Sequence, residues 1–141
     1  MLATSHERVF AIGDVTSVQI PGRWKPDTPL MLPKAAVFAH AQALVVAERI
    51  AADLQGAAAT TTFSGDGFCM LEAGGDLAGV AFGDFFHQPS PDVHVKSIGR
   101  AWHLGKVLFE KWWLAPWGWR RRLLKSTLAV GRRIYGVPVN L

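Results

Sequence analysis

The hydrophobic pattern begins with the short apolar run Val9-Phe10-Ala11-Ile12, which Gly13 closes. A continuous run of this length predicts a strand buried on both faces, as in a parallel sheet. Residues 16–32 contain a glycine and three prolines, so we expect an extended loop there. Good helix formers follow from 34 to 55, with Pro33 placed where a first helical turn tolerates it, and this predicts one long helix.

The middle of the chain alternates short apolar runs with turn residues. Residues 60–64, 68–73 and 77–82 are separated by Gly-Asp-Gly and Gly-Gly-Asp, which accept the positive φ of tight turns. The pattern predicts a small antiparallel meander that leans on a larger element, because three short strands bury little by themselves. Pro89-Ser90-Pro91 indicates a linker after it.

The last third predicts two helices, at about 102–114 and 119–135, broken at Pro116-Trp117-Gly118. Placed at intervals of about 100° per residue, the second helix is amphipathic. Its apolar side holds Leu123, Leu124, Thr127, Leu128, Val130, Ile134 and Tyr135. Its polar side holds Arg121, Arg122, Lys125, Ser126, Arg132 and Arg133, whereas Arg120 lies off this pattern at the helix start.

Composition narrows the class of protein. Half of the residues are hydrophobic and 18% are charged, which favours a folded chain over a disordered one. The one cysteine, Cys69, excludes an intrachain disulfide and a cysteine-rich zinc site, and the histidines show no metal-binding spacing, so we expect no metal. The start of the chain does not resemble a signal peptide, and no uncharged apolar run is long enough to predict a transmembrane span.

Charge is distributed very unevenly. Residues 1–95 hold five Lys/Arg and ten Asp/Glu, a balance of −5, whereas residues 96–141 hold ten Lys/Arg and one acid, a balance of +9. Five of the six tryptophans lie in the basic part. The two parts therefore face different surroundings.

Tryptophan, lysine and arginine on amphipathic helices are typical of a protein that lies on a membrane, because indoles prefer the headgroup level and cations meet anionic lipid. We favour an anionic membrane surface over a protein partner, and we expect no nucleic acid partner, since phosphate-binding faces do not need so many adjacent tryptophans. The membrane candidates are Trp112, Trp113, Trp117, Trp119, Arg120, Arg121, Arg122 and Lys125.

Two polar features suggest a ligand in the first third. A carboxylate directly after a strand, here Asp14, either accepts hydrogen bonds from ligand hydroxyls or caps a turn. A helix that begins at Pro33-Lys34 presents unpaired N–H groups and a partial positive charge to a developing anion. Lys34 adds a full charge there or is simply a solvated lysine of the first turn.

Four motifs occur in one order: RVFAIGDVT, LPKAAVFAHAQALVVAERIA, GFCMLEAGG and WHLGKVLFEKWWL. Together they resemble the C-terminal part of sulfide:quinone oxidoreductases and flavocytochrome c sulfide dehydrogenases, over about residues 6–115. These are FAD-dependent members of the pyridine nucleotide–disulfide oxidoreductases. The resemblance implies an α/β fold, α+β when this part is considered alone, that ends a Rossmann-like FAD-binding domain.

The resemblance also implies roles for individual residues. Asp14, between Gly13 and Val15, would bind the flavin ribityl chain, and Pro33-Lys34 would lie at the pyrimidine end of the ring. Cys69 matches a family cysteine that forms a redox-active disulfide with a cysteine of the N-terminal half. There sulfide attacks the disulfide, electrons pass to the flavin, and the flavin reduces a quinone. The quinone candidates, as walls and proton donor, are Phe68, Phe85, Phe86 and His103.

The chain departs from the family in that it contains no Gly-x-Gly-x-x-Gly after a strand and no second cysteine. We therefore expect an N-terminal FAD-binding half to complete the site. The expected segments are 1–56 as the close of the FAD-binding domain, 57–95 as the antiparallel piece, and 96–141 as the basic helical tail. The expected function is that of a membrane-peripheral oxidoreductase, at the cytoplasmic face and inactive alone. The alternative is a non-catalytic, membrane-associated remnant or partner module of the same fold.

Overall fold

The computed structural model describes residues 4–137. These residues form an α+β structure with two small antiparallel sheets. In chain order the elements are β1 (Gln19–Lys25), β2 (Thr28–Met31), α1 (Ala36–Leu54), β3 (Asp66–Gly74), β4 (Leu77–Asp84), β5 (Asp92–Gly99), α2 (Arg100–Leu114) and α3 (Trp119–Tyr135). A 3-10 turn, Gly13–Val15, precedes β1. The chain divides into two compact units: the first runs up to Asp66 and also takes in Asp84–Asp92, and the second comprises Gly67–Gly83 and the residues from Val93 onward.

In the first unit, β1 and β2 form an antiparallel hairpin in which Ile20 pairs with Leu30. The prediction of a loop over residues 16–32 is therefore wrong. Proline argues against a central strand, but a two-stranded ribbon has two outer edges, where the missing N–H of a proline is tolerated. Pro29 sits opposite Arg23, next to register shifts in the pairing.

Helix α1 confirms the predicted helix to within two residues at its start and one at its end. Its buried residues Phe38, Gln42 and Val45 follow the spacing of one helical face. Phe38 makes edge-to-face contacts with Phe63 (ring centroids 6.3 Å apart) and Phe85 (5.1 Å). This aromatic cluster is the core of the first unit.

The apolar run at residues 9–12 is not a buried parallel strand. Phe10 forms an isolated bridge, Ile12 has extended backbone, and Val9 is half exposed. A strand buried on both faces needs a strand on either side and cover on both faces. The two sheets of the described residues pair other segments, so this run keeps extended geometry without a sheet.

In the second unit, three strands pair in the order β3-β4-β5. The strands predicted at 68–73 and 77–82 are confirmed as parts of β3 and β4, joined at Gly74-Gly75-Asp76, where all three residues have positive φ. The prediction of a strand at 60–64 is wrong, because Thr61 there bonds to Glu48 and Arg49 of α1. The third strand is β5, directly after the Pro89-Ser90-Pro91 connection.

Both C-terminal helices are confirmed, with α2 beginning two residues earlier than expected. Phe109 of α2 packs edge-to-face on Phe68 of β3, with centroids 5.4 Å apart. Trp102 of α2 meets Tyr135 of α3 at 5.2 Å, so the two helices form a hairpin, called here the α2–α3 hairpin.

Candidate functional site

The turn Gly13–Val15, called here the Asp14 turn, is fixed to α1. The Gly13 N–H donates to Oε1 of Gln42 at 2.6 Å, and Gln42 is 1% exposed. Gly13 has a φ of +68°, and a Cβ at this position would lie 3.1 Å from Cβ of Ala39. Glycine is therefore required both by the backbone conformation and by the close approach of the helix.

Lys34 ties the start of α1 to the same turn. Its Nζ donates to the carbonyl oxygen of Asp14 at 2.9 Å and to that of Thr16. The resemblance implies that Lys34 lies beside a ligand, and in this structure its ammonium group lies on backbone carbonyls. The carboxylate side of Asp14 stays exposed.

The first turn of α1 follows Ala35, which has extended backbone and provides no side-chain cap. Helix starts without a cap leave N–H groups for other acceptors and carry a partial positive charge. Gly13, Asp14, Pro33 and Lys34 share one cleft of about 10 Å³, roughly the space of one water. The structure brings together these four predicted residues, whereas Val15 is 81% exposed and does not line the cleft.

Two residues that fix the geometry of this cleft were not predicted. Gln42 positions the Asp14 turn, and Thr16 donates its hydroxyl to the Gly13 carbonyl at 2.7 Å. Gln42 could have been found from the sequence, because it is a polar residue four positions after Phe38, on the apolar side of a predicted helix. Thr16 had no distinguishing pattern, because a threonine after a turn is common in any loop.

Cys69 lies in β3, half-buried and unpaired. Burial raises the pKa of the Cys69 thiol above its ordinary value of 9.0. A reactive cysteine has its pKa lowered by a nearby positive charge, so the environment within this chain favours the inert thiol.

The four quinone candidates fall in different units. Phe68 is buried in the core of the second unit, whereas Phe85 and Phe86 belong to the aromatic core of the first. Phe86 contacts Phe63 with centroids 5.4 Å apart, and a Cβ at Gly65 would lie 2.5 Å from its ring. Each of these phenylalanines therefore has a packing role in its own unit.

His103 lies on α2 and faces the β3–β4 turn. Its Nε2 lies 3.6 Å from Oδ1 of Asp76, and its Nδ1 is buried without a hydrogen-bond partner. One turn further along, Lys106 forms an ion pair with Glu72 of β3. The hydrogen bond between these two groups lowers the pKa of Glu72 and raises the pKa of Lys106.

Arg121 joins the ends of the α2–α3 hairpin. Its Nη1 donates to the carbonyl oxygens of Trp112 (3.3 Å), Trp113 (3.3 Å) and Ala115 (3.0 Å). Its guanidinium carbon lies 5.0 Å from the ring centroid of Trp112 and 5.1 Å from that of Trp117. Arg121 was predicted to meet a membrane, and here it caps the C-terminus of α2.

The remaining membrane candidates differ in exposure. Trp112 is buried, and Trp113 is half-buried against Phe109 and Trp112. Trp117 is 91% exposed, and Trp119 is also exposed. Arg120, Arg122 and Lys125 are exposed as well.

The apolar side of α3 consists of two stripes. Leu124, Leu128 and Gly131 are half-buried in the hairpin. A second stripe, rotated by about 100° on average, is more exposed and lies beside Arg122 and Arg133 on the helix surface. This outer stripe consists of Trp119, Leu123, Val130 and Ile134, each more than half exposed.

None of the helices within residues 4–137 combines the length and the apolar character needed to cross a bilayer. Comparison of the chain with protein-family models, with curated proteins and with solved structures found no match.

Proposed function

We propose that this chain is the C-terminal part of an FAD-dependent oxidoreductase of the sulfide:quinone type, which works at a membrane surface together with an N-terminal FAD-binding half. The observation that carries the proposal is the contact between the Asp14 turn and the start of α1. Gln42 and Lys34 hold these segments against each other, so that an exposed carboxylate lies beside an uncapped helix start. This pair of charges suits a ligand with hydroxyls at one end and a developing anion at the other.

The residues present fit one edge of a flavin. The cleft of about 10 Å³ is far too small to enclose a ring system, so the other wall must come from the N-terminal half. Asp14 would accept hydrogen bonds from ribityl hydroxyls, and the first-turn N–H groups of α1 would stabilise negative charge at the pyrimidine end. When bound, FAD supplies two-electron redox chemistry.

The extended run at residues 9–12 has a place in this proposal. It precedes the Asp14 turn and has no sheet partner strand of its own within the described residues. In the complete protein it joins the parallel sheet of a Rossmann-like FAD-binding domain. Burial between neighbouring strands would then account for its continuous apolar character.

Electron transfer to a quinone requires protons and a lipid-facing surface. His103, with Nε2 toward Asp76 at the β3–β4 turn, is the proposed proton donor, whereas Phe68 lies against Phe109 at the other end of β3. The outer apolar stripe of α3 and its basic neighbours match a membrane interface, which is where a lipid-soluble quinone resides. The anionic inner leaflet would place this surface on the cytoplasmic face.

The test is flavin binding with and without the missing half. Purified chain alone should bind FAD weakly or not at all, and addition of the polypeptide encoded directly upstream, if it carries Gly-x-Gly-x-x-Gly, should produce a shifted and structured flavin absorption spectrum. Asp14→Asn should weaken FAD binding by roughly 10-fold to 150-fold, the effect of losing one hydrogen bond to a charged group. Asp27→Asn, at the exposed β1–β2 turn, is the matched control.

Equal flavin binding by Asp14→Asn and the control would remove the Asp14 turn from the cofactor site. If the 141-residue chain alone gives a structured flavin spectrum, and Asp14→Asn does not change it, the proposal that an N-terminal half completes the site is wrong.

The second candidate function is a membrane-attached module without catalysis. The raised pKa of Cys69 favours it, since a thiol that burial keeps protonated does not take part in thiol–disulfide exchange at neutral pH. If no upstream half exists and FAD is not bound, while the chain still associates with vesicles, this second function replaces the first.

A further inference from the structure

A wide groove lies between the C-terminus of α2 and the N-terminus of α3. Its cavity volume is about 650 Å³, within the range of small-molecule sites. Its apolar surface comes from Leu114, Pro116, Leu123 and Leu124. All of these residues belong to the second unit, so the groove is a feature of the α2–α3 hairpin itself.

Two cations line the groove, one from each helix. Lys111 comes from the last turn of α2 and Arg120 from the first turn of α3, and both are exposed. Within residues 4–137, no hydrogen bond or ion pair is made by the side chain of either. Their neighbour Arg121 differs, because its guanidinium is held by three carbonyls and two indoles.

The groove therefore combines an apolar floor with two positive side chains that have no hydrogen-bond or ion-pair partner among the described residues. Glu110 is the single acid of the lining, so the local balance is positive. Trp119 lines the groove and is 73% exposed, which suits an indole at the boundary between an apolar chain and a polar headgroup. A ligand that matches all three features has an aliphatic chain and one anionic phosphate.

We propose that this groove binds one anionic phospholipid, with the phosphate between Lys111 and Arg120 and an acyl chain along Leu114, Leu123 and Leu124. The inference rests on the membrane part of the proposed function and specifies its ligand. It differs from general attraction to a charged surface, because it assigns the headgroup to two particular cations. The other basic residues of α3 would contribute only to the long-range field.

The experiment uses the 141-residue chain and a monomeric lipid, so that no bilayer is present. Dihexanoyl phosphatidylglycerol, kept below its critical micelle concentration, should bind saturably and change the tryptophan emission. Dihexanoyl phosphatidylcholine, with the same chains and no net charge, should bind much more weakly. Inorganic phosphate should not compete at comparable concentration, since it cannot fill the apolar floor.

The variant Lys111→Gln/Arg120→Gln should weaken phosphatidylglycerol binding by roughly 30-fold, about fivefold for each cation. The matched control is Arg122→Gln/Arg133→Gln, which removes two exposed cations of α3 that do not line the groove. It should leave the affinity for the monomeric lipid within about twofold. Far-UV circular dichroism of both variants checks that the helices remain folded.

Equal binding of the two lipids, equal loss in the two double variants, or full competition by inorganic phosphate would each overturn the assignment. Saturable binding that instead produces a dimer, seen by analytical ultracentrifugation, would show that a second copy occupies the groove and would also overturn it. Vesicle flotation separates this outcome from failure of the membrane proposal. A chain that floats with anionic vesicles but ignores the monomeric lipid keeps the membrane function and lacks the specific site.

Discussion

Gln42 shows how one residue can carry the geometry of a site without touching a ligand. It is the buried polar residue of the first unit's core, next to Phe38, and its amide oxygen accepts the Gly13 N–H. A buried amide without a partner destabilises a fold, so this hydrogen bond specifies where the Asp14 turn must lie.

Gln42→Leu should therefore destabilise the first unit by about 1–3 kcal/mol, because the Gly13 N–H loses its acceptor while the side-chain volume is kept. The amide of Gly13 should also lose protection from hydrogen exchange. Urea unfolding and hydrogen exchange measure the two effects, with Gln55→Leu at the exposed end of α1 as control. Retained protection of Gly13 in Gln42→Leu would show that the turn is held by other contacts.

For single residues, the sequence predicts which ones lie near the cleft better than it predicts their hydrogen-bond partners. Gly13 and Asp14 follow an apolar run, and Lys34 follows a helix-starting proline, so their neighbourhood was predictable from the motifs. The hydrogen bonds from Lys34 to backbone carbonyls were not predictable, because a long flexible side chain reaches many acceptors and only the fold selects among them. Gln42 was hidden by its position in the middle of an apolar helix face.

At the scale of elements, the α2–α3 hairpin depends on how its short connection is closed. Helix C-termini leave carbonyls without intrahelical partners, and the guanidinium of Arg121 donates to three carbonyls at the end of α2, of which that of Trp112 also accepts from the Ala115 N–H. The same group packs between the indoles of Trp112 and Trp117. Arg121 thus connects the end of one helix to the start of the next.

Arg121→Ala should lower the free energy of unfolding of the hairpin by about 1.5–3 kcal/mol, the range for hydrogen bonds to a charged group. Arg121→Lys should be intermediate, because an ammonium group can bond to carbonyls but cannot stack as a plane between two rings. Urea unfolding followed by tryptophan emission reports on buried Trp112, and Arg122→Ala is the control on the exposed side. If Arg121→Ala and the control unfold at the same urea concentration, Arg121 does not close the hairpin.

The ion pair between Glu72 and Lys106 links β3 to α2 and gives a pH prediction. Its hydrogen bond lowers the pKa of Glu72 from 4.5, so its contribution is lost as pH falls below about that value. The same bond raises the pKa of Lys106 from 10.5, so the contribution is also lost as pH rises above about that value. Both side chains are accessible to solvent, so the effect on stability is small.

The difference in unfolding midpoint between the unmodified chain and Glu72→Gln should therefore be largest between about pH 5 and pH 10 and shrink toward zero near pH 3. Thermal unfolding at several pH values measures it. Asp66→Asn, on an exposed aspartate of the same strand, is the matched control. A difference that stays constant down to pH 3 would mean that Glu72 acts through packing and not through its charge.

The predicted elements were accurate where proline or glycine residues mark their limits in the sequence. α1, α2 and α3 were predictable because Pro33, Gly56 and Pro116-Trp117-Gly118 mark their limits. The β1–β2 hairpin was missed since its prolines have the signature of a loop. β5 was missed because Pro89 and Pro91 precede it and most of its residues are exposed, so the hydrophobic pattern was weak. Strand pairing is a tertiary property that local pattern does not fix.

At the scale of the whole chain, the structure shows where the cations of the basic part lie. Most cations of the basic part lie on α3, next to its outer apolar stripe, whereas residues 1–95 have a balance of −5. Under the proposed membrane role, an anionic membrane would repel the acidic part and attract the basic part, so α3 would be the element that meets the lipid. Attraction would bring the helix to the surface, and burial of the apolar stripe would hold it there.

These two contributions respond differently to salt. On vesicles of phosphatidylcholine with phosphatidylglycerol, raising NaCl from about 0.1 M to about 1 M shortens the Debye length from about 10 Å to about 3 Å and should lower the bound fraction. Arg122→Gln/Arg133→Gln should bind more weakly at low salt and should lose less binding than the unmodified chain when salt is raised, because four cations remain on α3. Val130→Ser/Ile134→Ser should bind roughly tenfold less at both salt concentrations, because it removes apolar burial. Leu54→Ser, at a leucine that is more exposed still at the end of α1, should float like the unmodified chain. Flotation that is equal on neutral and anionic vesicles, or a serine variant that binds normally at high salt, would contradict a membrane role for α3.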